Sequence, residues 1–307
     1  MFSVKQLVES GCLTSVPPKY VFKNTESDDC MVTELEAIPT IDFSLLTSGN
    51  PDERSEVINE LRNACQEWGF FMVINHGVPE TLRKEMIRAT KDFFDLAGEE
   101  KQQYTGKKLF DPIRCGTSFN PKVDKVLLWR DYLKAHVHPH FSAPNKPSGF
   151  GKVLKEYCKR TREMASELLK GISESLGLEE SYINEKMAVE SADSHQLLVA
   201  NMYPPCPQPE LSMVNMIYVS NMKKILTNGK YKSVVHRAVV NDKATRISIG
   251  TAHGPPLDTI VSPAAELVTE FVGQFSPAYR GIKYKEYLEL QQSKSLNGKS
   301  CLDHLRL

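Results

Sequence analysis

The apolar positions divide the chain into a first part with helical spacing and a second part with short, strand-like runs. Apolar residues recur every three or four positions over Ser55–Trp68 and Val153–Leu176, which predicts two amphipathic helices. Between them, the apolar run Phe70–Ile74 predicts a short strand, and Pro79 marks the start of a further helix. Gly177 stands where a helix C-cap is expected.

After about Ser194 the pattern changes to short runs of β-branched and aromatic residues, which are typical of strands. These runs are Leu197–Tyr203, Ile217–Val219, Ser233–Val240 and Thr245–Ala252. A turn signal, Asn228-Gly229, precedes the third run, and Tyr284–Leu290 has the spacing of a closing helix. The pattern predicts an α+β protein, with a helix-rich N-terminal region packed on a β-rich C-terminal region.

Composition and charge exclude several classes of protein. The 307-residue chain is 41% apolar and 25% charged, and its Lys+Arg and Asp+Glu totals are both 38. Such a balance lacks the basic footprint of a nucleic-acid-binding surface. No apolar run reaches the ~20 residues that a membrane-spanning helix needs. We therefore expect neither nucleic acid nor membrane as a partner. We also predict that the chain is a monomer.

The seven cysteines bear on the cellular compartment. They are odd in number, widely scattered and without a Cys-x-x-Cys pair, which fits reduced thiols better than a disulfide framework or a zinc ribbon. The first nine residues lack the basic stretch and apolar core of a signal peptide. A cytoplasmic location is the resulting expectation.

One histidine and an Arg-x-Ser segment are the strongest candidates for chemistry. His236 lies in the third β-rich run, and Arg246 and Ser248 lie in the fourth. Side chains two residues apart point to the same face of a strand, so Arg246 and Ser248 are expected to share a face. An arginine fork beside a hydroxyl is suited to holding a carboxylate, and neutral imidazole is a common ligand of Fe(II).

Further segments, spread over nearly the whole chain, place these residues in a family. The segments are Ile38–Phe43, Trp68–Val78, Trp129–Leu133, Asn201–Leu211, Ala252–Pro255, Tyr284–Leu290 and Gly298–Asp303. In combination they resemble the plant Fe(II)/2-oxoglutarate-dependent dioxygenases. Within that family the chain looks most similar to the branch that holds flavanone hydroxylases and the salicylate-hydroxylating downy-mildew-resistance oxygenases.

The resemblance implies a fold, a reaction and roles for four residues. The implied fold is a distorted double-stranded β-helix, or jelly roll, behind helices. His236 is implied as a metal ligand for Fe(II), and Tyr203, Arg246 and Ser248 as the residues that bind the co-substrate 2-oxoglutarate. The implied reaction converts 2-oxoglutarate and O2 to succinate and CO2 while it hydroxylates or desaturates a flavonoid, phenolic or hormone-like metabolite.

Domain boundaries also follow from the resemblance. It implies a non-haem dioxygenase N-terminal domain at 35–145 and a double-stranded β-helix domain, incomplete in this chain, at 190–280. A C-terminal helix and tail occupy 281–307.

The chain departs from the family where the first two iron ligands belong. The family carries a His-x-Asp a few residues after Pro-Glu-Leu, yet here no His, Asp or Glu lies between Leu211 and His236. At ~5–6 residues per strand plus turns, the missing strands amount to on the order of 40 residues. The iron site is therefore predicted to be incomplete, and we assign no catalytic residue.

The remaining histidines are weaker candidates for metal ligands. Asp193-Ser-His195 is a reversed Asp-x-His just before the β-rich region, and the alternating histidines of 136–140 can share a strand face. We expect Asp193-Ser-His195 to lie in a loop or at the start of a strand, and the histidines of 136–140 to have a surface or packing role. We expect a turn role for His76 and a structural role for His253.

Three interpretations stay open at this point. The chain is a working dioxygenase with an unconventional iron site, or a non-catalytic derivative that binds a carboxylate or small aromatic ligand. The third interpretation is a truncated product with an only partly stable fold, since missing strands leave exposed sheet edges.

Overall fold

A computed structural model gives the structure of most of the chain. It describes residues 3–11, 13–22, 37–106, 108–118, 126–212, 216–218, 221–268, 270–271, 274–293 and 301–307. None of the helices in these ranges combines the length and the apolarity needed to cross a bilayer.

Helices dominate the first two-thirds of the described chain. They are α1 (Val4–Glu9), α2 (Phe43–Ser48), α3 (Pro51–Asn63), α4 (Glu80–Asp95), α5 (Gly98–Gln102), α6 (Phe150–Ser175), α7 (Tyr182–Lys186), α8 (Asn221–Leu226) and α9 (Tyr284–Ser293). A π-helical turn, Ala64–Trp68, extends α3. Both long predicted helices are confirmed, by α3 with its π turn and by α6, and Gly177 has the positive φ of +76° expected of a residue that ends a helix.

Local sequence explains where α3 begins. The Asn50 side chain accepts hydrogen bonds from the backbone N–H groups of Asp52 and Glu53, and the Glu53 carboxylate accepts one from the Asn50 N–H. This reciprocal capping box satisfies donors that have no partner inside the helix. Pro51 then occupies the first helical position, where its missing N–H costs nothing.

Most of the strands in the described residues come after α7. The strands are β1 (Thr40–Asp42), β2 (Met72–Ile74), β3 (Ile113–Gly116), β4 (Asp131–His138), β5 (His195–Tyr203), β6 (Met216–Tyr218), β7 (Val235–Arg237), β8 (Arg246–Gly254), β9 (Ile260–Val261), β10 (Glu270–Phe271), β11 (Gln274–Phe275) and β12 (Ile282–Lys283). Helices together with mainly antiparallel strands confirm the predicted α+β class.

The strand predicted over Ser233–Val240 is shorter than expected, since only Val235–Arg237 pairs, with β6. Val240 is instead buried in a cluster with Val4, Val16 and Cys206. Val240 is apolar because it packs against the N-terminal segment, not because it extends β7. The pattern of apolar residues along one run does not distinguish these two cases. Of the predicted run Ile217–Val219, the first two residues lie in β6, and residue 219 is outside the described part.

A four-stranded antiparallel sheet in the order β3-β4-β5-β8 organises the β structure. β5 and β8 pair at nine consecutive positions, from His195 opposite Gly254 to Tyr203 opposite Arg246. Between β4 and β5 the register shifts once, at a bulge between His136 and His138. This sheet joins strands from both halves of the sequence.

The two faces of the sheet differ sharply in chemistry. One face packs on α4 and α6, where Leu133, Leu198 and Met202 meet Phe93 and Leu154 in a buried apolar cluster. Strand alternation places a second set of side chains on the opposite side, here called the polar face. The polar face carries Arg114, Tyr132, Lys134, His136, His195, Asn201, Tyr203, Arg246 and Ser248, with the apolar Leu197 and Val199 between His195 and Asn201 on β5.

A buried carboxylate on β4 anchors the first helix. Asp131 accepts hydrogen bonds from the backbone N–H groups of Val4 and Lys5, each at 2.9 Å. The residue is 4% exposed, and burial raises the pKa of its carboxyl, an effect that the two backbone donors oppose. Helix α1 and the sheet are therefore held together by a polar contact across 126 or 127 sequence positions.

Two glycines on β8 give a test of how tightly the sheet is packed. A β-carbon on Gly254 would lie 2.3 Å from Cζ of Tyr284, whereas one on Gly250 would have no neighbour nearer than the Val199 carbonyl oxygen at 3.9 Å. We expect Gly254→Ala to destabilise the fold by roughly 1–3 kcal/mol through overpacking. Gly250→Ala should be neutral or slightly stabilising. Urea unfolding of both variants measures the difference, and equal midpoints would contradict the packing of Tyr284 on β8.

Candidate functional site

The pairing of β5 with β8 assembles the residues predicted to bind a carboxylate. Tyr203 lies directly opposite Arg246, and Asn201 lies opposite Ser248. The guanidinium carbon of Arg246 is 5.3 Å from the centroid of the Tyr203 ring, within cation–π range. The structure thus brings Tyr203, Arg246 and Ser248 together on the polar face.

Asn201 connects this group to the interior. Its Nδ2 donates to Ser248 Oγ at 3.3 Å, and its Oδ1 accepts from Nη1 of Arg130 at 2.6 Å. Sequence reasoning singled out neither Asn201 nor Arg130. The signal for Asn201 was its position two residues before Tyr203, because strand alternation puts both on one face.

Burial differs across the group. Tyr203 and Asn201 are 2% and 6% exposed, whereas the Arg246 side chain is exposed and Ser248 is half-buried. Asn201, Tyr203, Arg246 and Ser248 are called the Arg246 cluster from here on. It offers a charged fork and a hydroxyl on a rigid sheet, which suits the binding of a carboxylate.

The predicted metal ligand is placed only in part. His236 is the middle residue of β7 and lies opposite Ile217 of β6. Its side chain is outside the described part of the chain, so its distance from the Arg246 cluster is not defined. Among the described residues, no group of three or more His, Cys, Asp or Glu side chains is arranged to hold a metal ion.

The weaker histidine candidates have structural contacts, as expected. His136 Nδ1 is 2.9 Å from His195 Nε2, and His138 Nδ1 is 2.6 Å from the Ser194 carbonyl oxygen. The backbone N–H of Val78 donates to Nδ1 of His76, the predicted turn role.

His253 also has a structural contact: its Nε2 lies 3.2 Å from the Thr251 hydroxyl on its own strand. Burial lowers its pKa to about 4, and the nearby Arg162 guanidinium adds to that effect. The reversed Asp193-Ser-His195 motif is split as well, because Asp193 is exposed while His195 is buried.

A cavity of about 530 Å³ lies between α6 and the loop at 189–194, and its lining includes His76, His138 and Arg162. No member of the Arg246 cluster lines this cavity. The cavity is therefore separate from the residues that the sequence assigned to co-substrate binding.

Comparison with known proteins identifies the family. Residues 38–153 match the profile of the non-haem dioxygenase in morphine synthesis N-terminal region. The 2-oxoglutarate-dependent dioxygenase 19 of Oryza sativa subsp. japonica is 38% identical over 318 aligned positions, covering 91% of this chain and 93% of that protein. DMR6-LIKE OXYGENASE 2 of Arabidopsis thaliana is 33% identical over 338 positions, covering 95% and 94%.

The chain belongs to the plant 2-oxoglutarate- and Fe(II)-dependent dioxygenases. The predicted relationship to flavanone and downy-mildew-resistance oxygenases is confirmed, since Flavanone 3-dioxygenase 2 of Oryza sativa subsp. japonica is 32% identical over 98% of this chain and 97% of that protein. The predicted cofactors, Fe(II) and 2-oxoglutarate, are those of this dioxygenase family.

Solved structures confirm the fold. The crystal structure of JOX2 in complex with 2OG, Fe and JA has a TM-score of 0.84 to this chain, at 24% identity, covering 100% of this chain and 98% of that chain. The dioxygenase for auxin oxidation of rice has a TM-score of 0.67 at 21% identity, covering 88% and 100%. The predicted dioxygenase fold, helices around a jelly-roll core, is therefore correct.

The alignments to these dioxygenases contain more positions than this chain fills. In the rice alignment, 91% of 307 residues is about 279, against 318 positions, so about 39 positions lack a residue of this chain. In the Arabidopsis alignment, 95% is about 292 against 338, which leaves about 46.

The histidine pair makes the stability of this dioxygenase chain pH-dependent. Burial, with the neighbouring His136 and His138, lowers the pKa of His195 to about 4, below the ~6.5 of an unfolded chain. The unfolded state then binds more protons as the pH falls from about 6.5 to about 4, so stability is full above this window and is lost within it. One such group contributes roughly 3 kcal/mol.

We expect His195→Gln to reduce the loss of unfolding free energy between pH 7 and pH 4, measured by urea unfolding at each pH. Part of the slope remains, because His253 has a similarly lowered pKa. The exposed His140 supplies the control variant His140→Gln, which should keep the wild-type slope. An unchanged slope in His195→Gln would show that this histidine is not responsible.

Proposed function

We propose that this chain is a dioxygenase-family protein that still binds 2-oxoglutarate but is impaired in the oxygenase reaction. The single observation that supports retained binding is the register of β5 and β8, which places Tyr203 beside Arg246 and Asn201 beside Ser248. The reaction in which we place this chain is the oxidation of a small flavonoid, phenolic or hormone-like metabolite. Among the described residues, Cys65, Cys115, Cys158, Cys206 and Cys301 form no disulfide, which supports the expected cytoplasmic location.

The carboxylate far from the 2-oxo group of 2-oxoglutarate is the group that the Arg246 cluster suits. An exposed guanidinium presents two parallel N–H donors to a carboxylate, and the Ser248 hydroxyl adds a third donor. The Asn201 side chain donates a hydrogen bond to the Ser248 hydroxyl and accepts one from the Arg130 guanidinium, which fixes both Asn201 and Ser248. These contacts orient the binding groups before the ligand arrives, which lowers the entropic cost of binding.

The residues present do not fit an iron site of the facial-triad type, which needs two histidines and a carboxylate. His236 is one candidate ligand, and the sequence from 212 to 235 contains no His, Asp or Glu. His136 Nδ1 and His195 Nε2 are hydrogen-bonded to each other, and His195 lies at the opposite end of β5 from Tyr203. We therefore assign no reaction step to iron in this chain.

The unfilled alignment positions support an internal loss of sequence as the cause. About 39 and 46 positions lack residues in the two alignments, close to the ~40 residues that the missing strands require at ~5–6 residues each plus turns. The segment between Leu211 and His236 is where the family pattern expects the first two ligands. A loss there removes ligands and strands together.

We expect the wild-type protein to bind 2-oxoglutarate and Arg246→Ala to bind it roughly 10–100-fold more weakly, because a charge-assisted bidentate contact is lost. Isothermal titration calorimetry measures both dissociation constants. Lys243→Ala is the matched control, since this exposed lysine lies three residues from Arg246 and outside the cluster. Absence of binding by the wild type, or equal affinity in Arg246→Ala, would refute retained binding.

Turnover is tested separately. We expect no succinate above background when the protein is supplied with Fe(II), ascorbate, O2, 2-oxoglutarate and flavanone or phenolic acceptors, because the ligand set is incomplete. The control is the same chain with a family-type insertion carrying His-x-Asp after Leu211, which should restore iron binding if the loss is the cause. Iron-dependent succinate formation by the wild type would establish a working enzyme with an unconventional site. A chain without a cooperative thermal transition would instead support an unstable truncated product.

A further inference from the structure

Strand β8 is a long edge strand. In the order β3-β4-β5-β8, the described residues give β8 a hydrogen-bonded neighbour on one side, β5. Solvent exposure agrees with an edge position for β8. The inner strand β5 is buried along most of its length, whereas Arg246, Gly250 and Ala252 of β8 are exposed. The opposite edge, β3, is four residues long, whereas β8 has nine.

Edge strands are usually protected against pairing with other chains by lysines, prolines, bulges or short length. β8 carries none of these: its sequence, RISIGTAHG, has one formal charge, at its first residue, and no proline. Its nine pairs with β5 are consecutive, so no bulge distorts the edge. The strand therefore offers a regular row of backbone donors and acceptors for a further strand.

We propose that two copies of this chain associate by pairing their β8 strands in antiparallel orientation about a twofold axis at Gly250. The two four-stranded sheets then form one sheet of eight strands. A twofold contact is closed, since each copy uses the same strand and leaves no second edge of this kind unpaired. This association differs from the monomer predicted from the sequence.

The sequence of β8 is suited to pairing with itself, which favours a second copy of the chain as the partner at this edge. Around the axis, Arg246 lies opposite Gly254 of the second copy, so the two arginines sit at opposite ends of the contact. Ser248 lies opposite Ala252, and on the other face Ile249 lies opposite Thr251, a β-branched pair that stabilises cross-strand contacts. No like charges face each other, and the chain's equal totals of 38 basic and 38 acidic residues give no net repulsion between copies.

Gly250 provides a test that leaves the monomer intact. Its backbone is not in the positive-φ region, and a β-carbon there has 3.9 Å of clearance to the nearest atom, the Val199 carbonyl oxygen. Gly250→Lys places two lysines opposite each other at the axis, where like charges destabilise strand pairing. Gly250→Thr is the matched control, because it adds a neutral β-forming side chain at the same position.

Light scattering coupled to size-exclusion chromatography measures the mass of each protein. We expect wild type and Gly250→Thr to approach twice the chain mass of 34.6 kDa as concentration rises, and Gly250→Lys to stay at the chain mass. Hydrogen exchange should show β8 amides protected in the wild-type dimer and released in Gly250→Lys, with unchanged far-UV circular dichroism.

A wild-type protein that remains monomeric at high concentration would overturn the proposal, as would a dimer that persists in Gly250→Lys. Open-ended aggregation of the wild type would overturn the closed twofold pairing. Neither readout uses 2-oxoglutarate, so the result is independent of whether the Arg246 cluster binds it.

Discussion

The antiparallel pairing of β5 with β8 is the constraint on which the rest of the site depends. Nine consecutive positions fix the register, and side chains alternate between a packed face and a polar face. A slip of one residue would turn Arg246 and Ser248 toward α4 and α6 and bring Ile247 and Ile249 to the polar face. The apolar cluster on the helix side therefore determines where the carboxylate-binding groups stand.

Sequence reasoning found the parts of the site that a local pattern carries. The Arg-x-Ser spacing and the position of Tyr203 in its motif were enough to assign three of the four members of the Arg246 cluster. Strand alternation places Asn201 on the same face as Tyr203, but strand pairing is a tertiary property, so the contacts of Asn201 with Ser248 and Arg130 do not follow from a single run.

The same distinction explains what was right and wrong in the fold. Helices α3 and α6 were predicted well because a 3.6-residue period over three or more turns is unambiguous. The strand over Ser233–Val240 was predicted too long, because apolar residues such as Val240 packed against the N-terminal segment rather than extending β7. The two faces of the sheet followed from alternation once the partners of each strand were known.

The proposed loss of strands between Leu211 and His236 explains two features of β8. It leaves the edge of β8 open, and it leaves the Arg246 side chain exposed. An arginine in a closed, dry site interacts strongly with a carboxylate, whereas water and salt weaken the same contact at a surface. The proposed loss would thus weaken co-substrate binding and create an association surface at the same place.

The contact between Asp131 and helix α1 has a consequence for the order of folding during synthesis. Helix α1 has six residues, and isolated helices shorter than ~12–15 residues are marginal in water. Its N-terminal amides meet their partner only after residue 131 has left the ribosome. Helix α1 is therefore made well before its partner and is among the later elements to acquire its structure.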